Sequence, residues 1–140
     1  MMIVDATNQL VGRMATRIAK AALNGETIHI VNCEKAVISG NTRFILAKFD
    51  NRAKRGTPAK GPFIPKRPNF LVKRIIRGML PYKTLRGSEA LARIRCYSGV
   101  PAAFQGKTFD KIEGASVDKL KMLKFTPISR ITQFIGGRTQ

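Results

Sequence analysis

The sequence predicts an α/β fold whose sheet is founded on a parallel strand–helix–strand unit in the first third of the chain. Short β-branched runs at residues 2–6 and 27–31 enclose a stretch with helical period, a strand–helix–strand unit whose natural closure is a parallel crossover. A further strand-like run, Ile94-Arg95-Cys96-Tyr97, follows three more helical segments. A chain of 140 residues with 44% hydrophobic content suffices for one core, so residues 1–140 are expected to form a single domain.

The first strand ends at Asp5-Ala6, and Thr7 or Asn8 is expected to cap the helix that follows. That helix runs over residues 10–23, with Leu10, Val11, Met14, Ile18 and Ala22 near 3.6-residue spacing. Asn24-Gly25 stops it. Residues 36–38 read as another strand, too close to residue 31 for a parallel crossover, so their direction stays open. Ser39-Gly40-Asn41 opens a helix expected to turn Phe44, Ile45 and Phe49 inward and Arg43, Lys48 and Arg52 elsewhere. Between residues 53 and 68, four prolines and two glycines exclude both helix and central strand.

After Asn69 an apolar stripe of Leu71, Val72, Ile75, Ile76, Met79 and Leu80 marks a helix, with Lys73, Arg74 and Arg77 off the stripe. Pro81 is expected to end it, and after the basic link 82–86 Gly87-Ser88-Glu89 starts a shorter helix. A basic helix is expected between residues 115 and 123. The last helix, 127–135, is expected to have Thr126 as N-cap, Pro127 at its first position and Gly136-Gly137 after its end.

Charge carries the functional argument. Lys and Arg number 26 against 8 Asp and Glu, a formal net charge of +18. Such an excess repels itself unless a polyanion neutralises it; nucleic acid is the commonest, and an anionic membrane is the competing partner. The charge is also concentrated: residues 1–42 hold four basic and three acidic side chains, residues 43–95 fifteen and two, and residues 96–140 seven and three. The first third reads as scaffold and the middle third as contact surface. There arginine forks, lysine point charges and loop glycines supply what phosphate recognition needs. Phe63, in its Pro-Gly loop, is carried as a base-stacking candidate; Tyr82 sits among the same charges, and Phe70 is read as core.

Other chemistries are poorly supplied. The apolar runs are far short of the ~20 residues that cross a bilayer, so no membrane association is expected. No secretory leader is recognisable, and an intracellular protein is expected. Cys33 and Cys96 stand far apart in sequence with no histidine cluster, which suggests neither zinc nor a disulfide but two buried free thiols. The lone histidine, His29, lies between two isoleucines and reads as structural; Asp5 reads as a turn cap. The turn 5–13 has neither a three-glycine fingerprint nor a phosphate-loop motif, although Arg13 near the helix start offers a phosphate contact. No catalytic residue, metal ligand or cofactor is assigned. The rival readings are a nucleotide-binding α/β enzyme with its site near Asp5 and Gly12, and a regulatory RNA-binding protein.

The run Ile76-Arg77-Gly78-Met79-Leu80-Pro81-Tyr82-Lys83-Thr84-Leu85-Arg86-Gly87-Ser88, with Ala90-Leu91 and Ile94-Arg95-Cys96-Tyr97-Ser98-Gly99 after it, resembles the universal large-subunit ribosomal protein L-thirteen family. Ile3-Val4-Asp5-Ala6, Gly12-Arg13, Ile30-Val31-Asn32-Cys33-Glu34-Lys35, Ile38-Ser39-Gly40-Asn41, Gly61-Pro62-Phe63 and Gly99-Val100-Pro101 extend the likeness over residues 2–104. The Pro-rich basic loop resembles the archaeal and eukaryotic branch. Cys33 departs from the pattern, standing where alanine is common. The resemblance implies a three-layer α/β/α domain with a small, mainly parallel sheet of about four strands that binds large-subunit ribosomal RNA during assembly and stays in the cytoplasmic large subunit beside neighbouring ribosomal proteins, without catalysis or homo-oligomer. The RNA-binding candidates are Arg13, Arg43, Lys48, Arg52, Lys54, Arg55, Lys60, Phe63, Lys66, Arg67, Lys73, Arg74, Arg77, Lys83 and Arg86.

Overall fold

In the computed structural model, which describes residues 1–137, the chain begins with strand β1 (Met2–Asp5), helix α1 (Val11–Leu23) and strand β2 (Ile28–Val31). A 3-10 turn, Cys33–Lys35, leads to β3 (Val37–Ser39), then to α2 (Thr42–Lys54), α3 (Pro68–Arg77), α4 (Leu85–Ala92) and β4 (Ile94–Cys96). Two more 3-10 turns, Ala102–Phe104 and Val117–Lys119, precede β5 (Phe125–Pro127) and α5 (Ile128–Phe134).

Strand β2 is buried at every position because it is central: β1 and β4 pair with it on either side, both parallel, with Val4 opposite Ile30 and Ile30 opposite Cys96. The parallel sheet thus has three strands, and at the far edge of β1 a single parallel bridge from Asp110 to Val4 occupies the fourth place. On one face, Val4, Ile28, Ile30 and Ile94 pack into the main core with Met14 and Ile18 of α1 and Leu71, Val72 and Ile76 of α3. The layer over the other face is thin: Phe104 of the 3-10 turn, with Tyr97, Val100 and Phe109, covers Ile3 and Val31. Helix α1 forms because Val11, Met14, Ala15, Ile18, Ala19 and Ala22 fall on one buried face while Arg13, Arg17 and Lys20 stay exposed.

The direction of the 37–39 segment is settled by a partner 88 residues away: β3 pairs antiparallel with β5, Ile38 opposite Thr126, in a separate two-stranded sheet.

Several expectations are corrected. Neither Thr7 nor Asn8 caps α1; Leu10 holds that place without a side-chain bond, because Thr7 is engaged with Asp5 and Asn8 sits in a left-handed turn. Phe44 is exposed, since α2 turns Ile45 and Phe49, with Leu46 partly buried beside them, toward the core. Helix α3 begins at Pro68, whose missing N–H costs nothing at a first position, and ends at Arg77, before Pro81. Met79 therefore leaves the stripe and is exposed, while Leu80 remains buried.

Helix α4 starts at Leu85 under the N-cap Thr84, whose hydroxyl accepts from the Gly87 N–H at 3.3 Å, so Leu85 and Arg86 are helical and not linker. Gly87 is demanded by packing: a Cβ there would strike the Pro81 carbonyl. No basic helix forms between 115 and 123. The backbone there is spent on bonds to the start of the chain, Leu10 N–H to Ala115 O and Val117 N–H to Asn8 O, leaving one 3-10 turn. Thr126 belongs to β5 and gives its hydroxyl to Thr42 at 3.0 Å, so Pro127 is the N-cap of α5. Of the two thiols only Cys33 is buried; Cys96 is half-buried.

Candidate nucleic-acid interface

Helix α3 places its apolar residues at positions 71, 72 and 76 into the core, and the opposite side therefore collects Phe70, Lys73, Arg74 and Arg77, spaced i, i+3, i+4 and i+7. Phe70 is 52% exposed, which corrects its assignment to the core. With Pro65 and Leu91 these residues line a shallow hollow of about 290 Å³. The Arg77 guanidinium lies 4.7 Å over the ring of Tyr82, fixing one cation and one exposed aromatic together.

Arg74 also borders a second hollow, where Arg52 and Arg55 from the end of α2 and the following loop join it. Its Nη1 donates to the Phe63 carbonyl at 3.4 Å, tying the Pro-rich loop to α3, and the Phe63 ring stands 65% exposed. The loop is shaped locally: the Gly61 N–H donates to Thr57 O at 2.8 Å, and a Cβ at Gly56 (φ 82°) would strike the Gly61 carbonyl.

The remaining candidates are dispersed. Arg43 and Lys48 are exposed on α2 and border neither hollow. Lys54 pairs with Asp50 one helical turn back at 2.7 Å, an exposed contact worth about 0.3–0.5 kcal/mol. Lys60 closes the 57–61 turn through its N–H to Thr57. Lys66 lies beside Gly137, Arg67 is the N-cap residue of α3, and Lys83 and Arg86 are exposed at the turn into α4. Arg13 is held apart, donating to the Gly114 carbonyl at 3.0 Å.

Phe70, and with it Leu91 and Pro65, was missed by sequence reasoning. The signal for Phe70 was present: it shares the spacing of Lys73, Arg74 and Arg77, not that of Leu71 and Ile76.

Asp5, the carboxylate of the rival site, is engaged in the structure of the turn. One carboxylate oxygen, Oδ1, accepts from the Thr7 N–H (3.1 Å), the Thr7 hydroxyl (2.7 Å) and Asn32 Nδ2 (2.9 Å). Partial burial works to raise this carboxyl, but the bonds from Asn32 and Thr7 outweigh it and hold the group below its ordinary range. Asp5 thereby pins the β1–α1 turn to the end of β2, in line with the turn-capping role expected of it.

His29, on the thin-layer side of β2, stacks with Tyr97 (centroids 5.9 Å apart) and tilts against Phe104 (4.9 Å). Burial and the nearby charges of Arg95 and Lys107 lower its pKa, keeping it neutral within a packed aromatic cluster. The Cys33 thiol, in contact with Cys96 and buried, is pushed well above its ordinary range and stays protonated. Among the described residues, no helix is long and apolar enough to cross a membrane.

An α/β scaffold whose Asp5, His29 and Cys33 are engaged in structural contacts, and whose α3 side gathers cations around exposed aromatics, has the make-up of the nucleic-acid-binding class. Residues 1–103 match the family model of ribosomal protein L13. The chain is similar to the large ribosomal subunit protein uL13 of Archaeoglobus fulgidus, 40% identical over 137 residues that cover 97% of this chain and 88% of that protein. It is similar also to the uL13 proteins of Haloarcula marismortui, 42% identical over 135 residues (96% and 90% covered), and Picrophilus torridus, 40% over 136 (97% of both). The chain belongs to the ribosomal protein L13 family.

Proposed function

We propose that this protein is a structural constituent of the cytoplasmic large ribosomal subunit that binds large-subunit ribosomal RNA through the basic side built from the end of α2, the 55–67 loop, α3 and the turn into α4. It acts as one domain without catalysis, next to other ribosomal proteins. The observation that carries the reading is the convergence on α3 of Lys73, Arg74 and Arg77 around the exposed Phe70 ring, opposite a helix face that is fully committed to the core. Cations positioned on a rigid helix bind phosphates at a lower ordering cost than cations on a loop, and exposed rings among them meet unpaired bases. Arg43, Lys48, Lys54, Lys60, Lys66, Arg67, Lys83 and Arg86 extend the field around this centre, and Arg13 contributes from α1. The test is sedimentation of cell lysate: the protein travels with large subunits and remains there through a high-salt wash. Recovery at the top of the gradient, free of subunits, would favour a regulatory RNA-binding role and sink the structural one.

A further inference from the structure

Between the end of α2, the Pro-rich loop and α3 lies a cleft of about 510 Å³, within the range of roughly 300–1,000 Å³ that holds a single small ligand. Its floor is apolar, with Phe49, Ile64 and Ile75; its rim carries Arg52, Arg55 and Arg74, and no carboxylate is among its lining residues. The Arg52 guanidinium is 6.0 Å from the centroid of the Phe49 ring, so rim and floor meet directly.

Two opposed chemistries in one hollow narrow the occupant. A free phosphate would satisfy the arginines and leave the apolar floor wet. An apolar peptide would cover the floor and leave three guanidinium groups without counter-charge. A base with its flanking phosphates satisfies both, because the ring face is apolar and each phosphate accepts the paired N–H groups of an arginine. Bases within an A-form duplex cannot enter, as their faces are stacked, so the nucleotide has to be unpaired and turned out.

Resting on the reading of the basic side as the RNA-binding surface, we propose that this cleft takes one unpaired nucleotide extruded from the ribosomal RNA, its base against Phe49, Ile64 and Ile75 and its flanking phosphates on Arg52, Arg55 and Arg74. The cleft makes the Pro-rich loop a specificity element: it selects an RNA site with a looped-out residue at a set distance from the phosphates held by α3.

Chemical probing of large-subunit ribosomal RNA with the full-length protein tests this. The wild type should give a backbone footprint containing one base that is shielded from base-specific reagents though no pairing accounts for it. Ile75→Trp fills the floor without changing charge; it should release that one base, keep the rest of the footprint, and weaken binding about tenfold or more, the loss of one base-stacking contact. A second variant, Arg52→Gln with Arg55→Gln, changes only exposed rim side chains and leaves the Arg74–Phe63 bond that holds the loop on α3, so it guards against misfolding; it should release the same base. If both folded variants reproduce the wild-type base pattern, the cleft is not a nucleotide site, while the basic side keeps its RNA. If the wild type leaves no footprint at all, the RNA-binding reading itself fails, and this proposal with it.

Discussion

The guanidinium of Arg77 lies 4.7 Å above the ring of Tyr82, joining the last residue of α3 to the turn that follows it. The contact matters because Gly78 ends the helix immediately afterwards, and without it the turn would hold its aromatic less firmly. Arg77→Lys keeps the charge but loses the planar group that lies over the ring, and Tyr82→Leu keeps the bulk but loses the ring. Each should weaken rRNA binding several-fold while shifting stability by no more than about 1 kcal/mol. Parallel filter binding and thermal melts check this. An Arg77→Lys variant that binds like wild type would make the pair a surface coincidence.

Ile76 is fully buried against the sheet whereas Ile75 is half-buried at the cleft, and this difference gives a test of which side of α3 faces inward. Ile76→Ala should cost about 2–5 kcal/mol, and Ile75→Ala clearly less. Gly87→Ala should also destabilise, by about 1–3 kcal/mol, since its Cβ would meet the Pro81 carbonyl and the helix has to shift. Denaturant melts of the three variants settle the order, and equal losses at 75 and 76 would contradict the packing.

How much of this was legible in the sequence follows from where each signal lies. Helices α1 and α3 were readable because their apolar residues repeat locally, within two or three turns. The antiparallel pairing of β3 was not, because its partner β5 is distant and equally short, and nothing in either segment names the other. The 115–123 stretch failed for a related reason: a basic, helix-compatible composition was overridden by long-range bonds from Ala115 and Val117 to residues 8–10. Phe44 failed because apolar content was read without asking whether the core had room at that angle. At the candidate interface the concentration of charge was plain in the sequence. The meeting of Arg52, Arg55 and Arg74 from separate segments was not, because it depends on how the Pro-rich loop folds back onto α3.

Acid should act first through His29. Its folded-state pKa is lowered, by burial and then by Arg95 and Lys107, so below about pH 6.5 the unfolded chain takes up a proton that the folded chain resists. Stability is therefore full above that pH and falls as pH drops toward the lowered value. Asp5 behaves in the same direction at lower pH: its bonds stabilise the fold above the ordinary carboxylate range and are lost as pH falls through the depressed value. Melting temperatures between pH 7.5 and 5 should decline in the wild type and decline less in His29→Phe, which keeps the aromatic packing. Identical slopes would place His29 outside this linkage.

Whether α3 is the centre of the RNA surface is measured most directly by the salt dependence of binding. Log affinity for large-subunit ribosomal RNA should fall linearly with log salt, with a slope of roughly −0.7 to −0.9 for each phosphate neutralised. Replacing Lys73, Arg74 and Arg77 together by glutamine removes three such contacts from the exposed side of α3 and leaves Leu71, Val72 and Ile76 in the core. The predicted result is a slope flatter by about two units or more, with a cooperative melt retained and lowered only slightly by the loss of the Arg77–Tyr82 and Arg74–Phe63 contacts. A folded triple variant with the wild-type slope would put the RNA on another face and contradict the central claim.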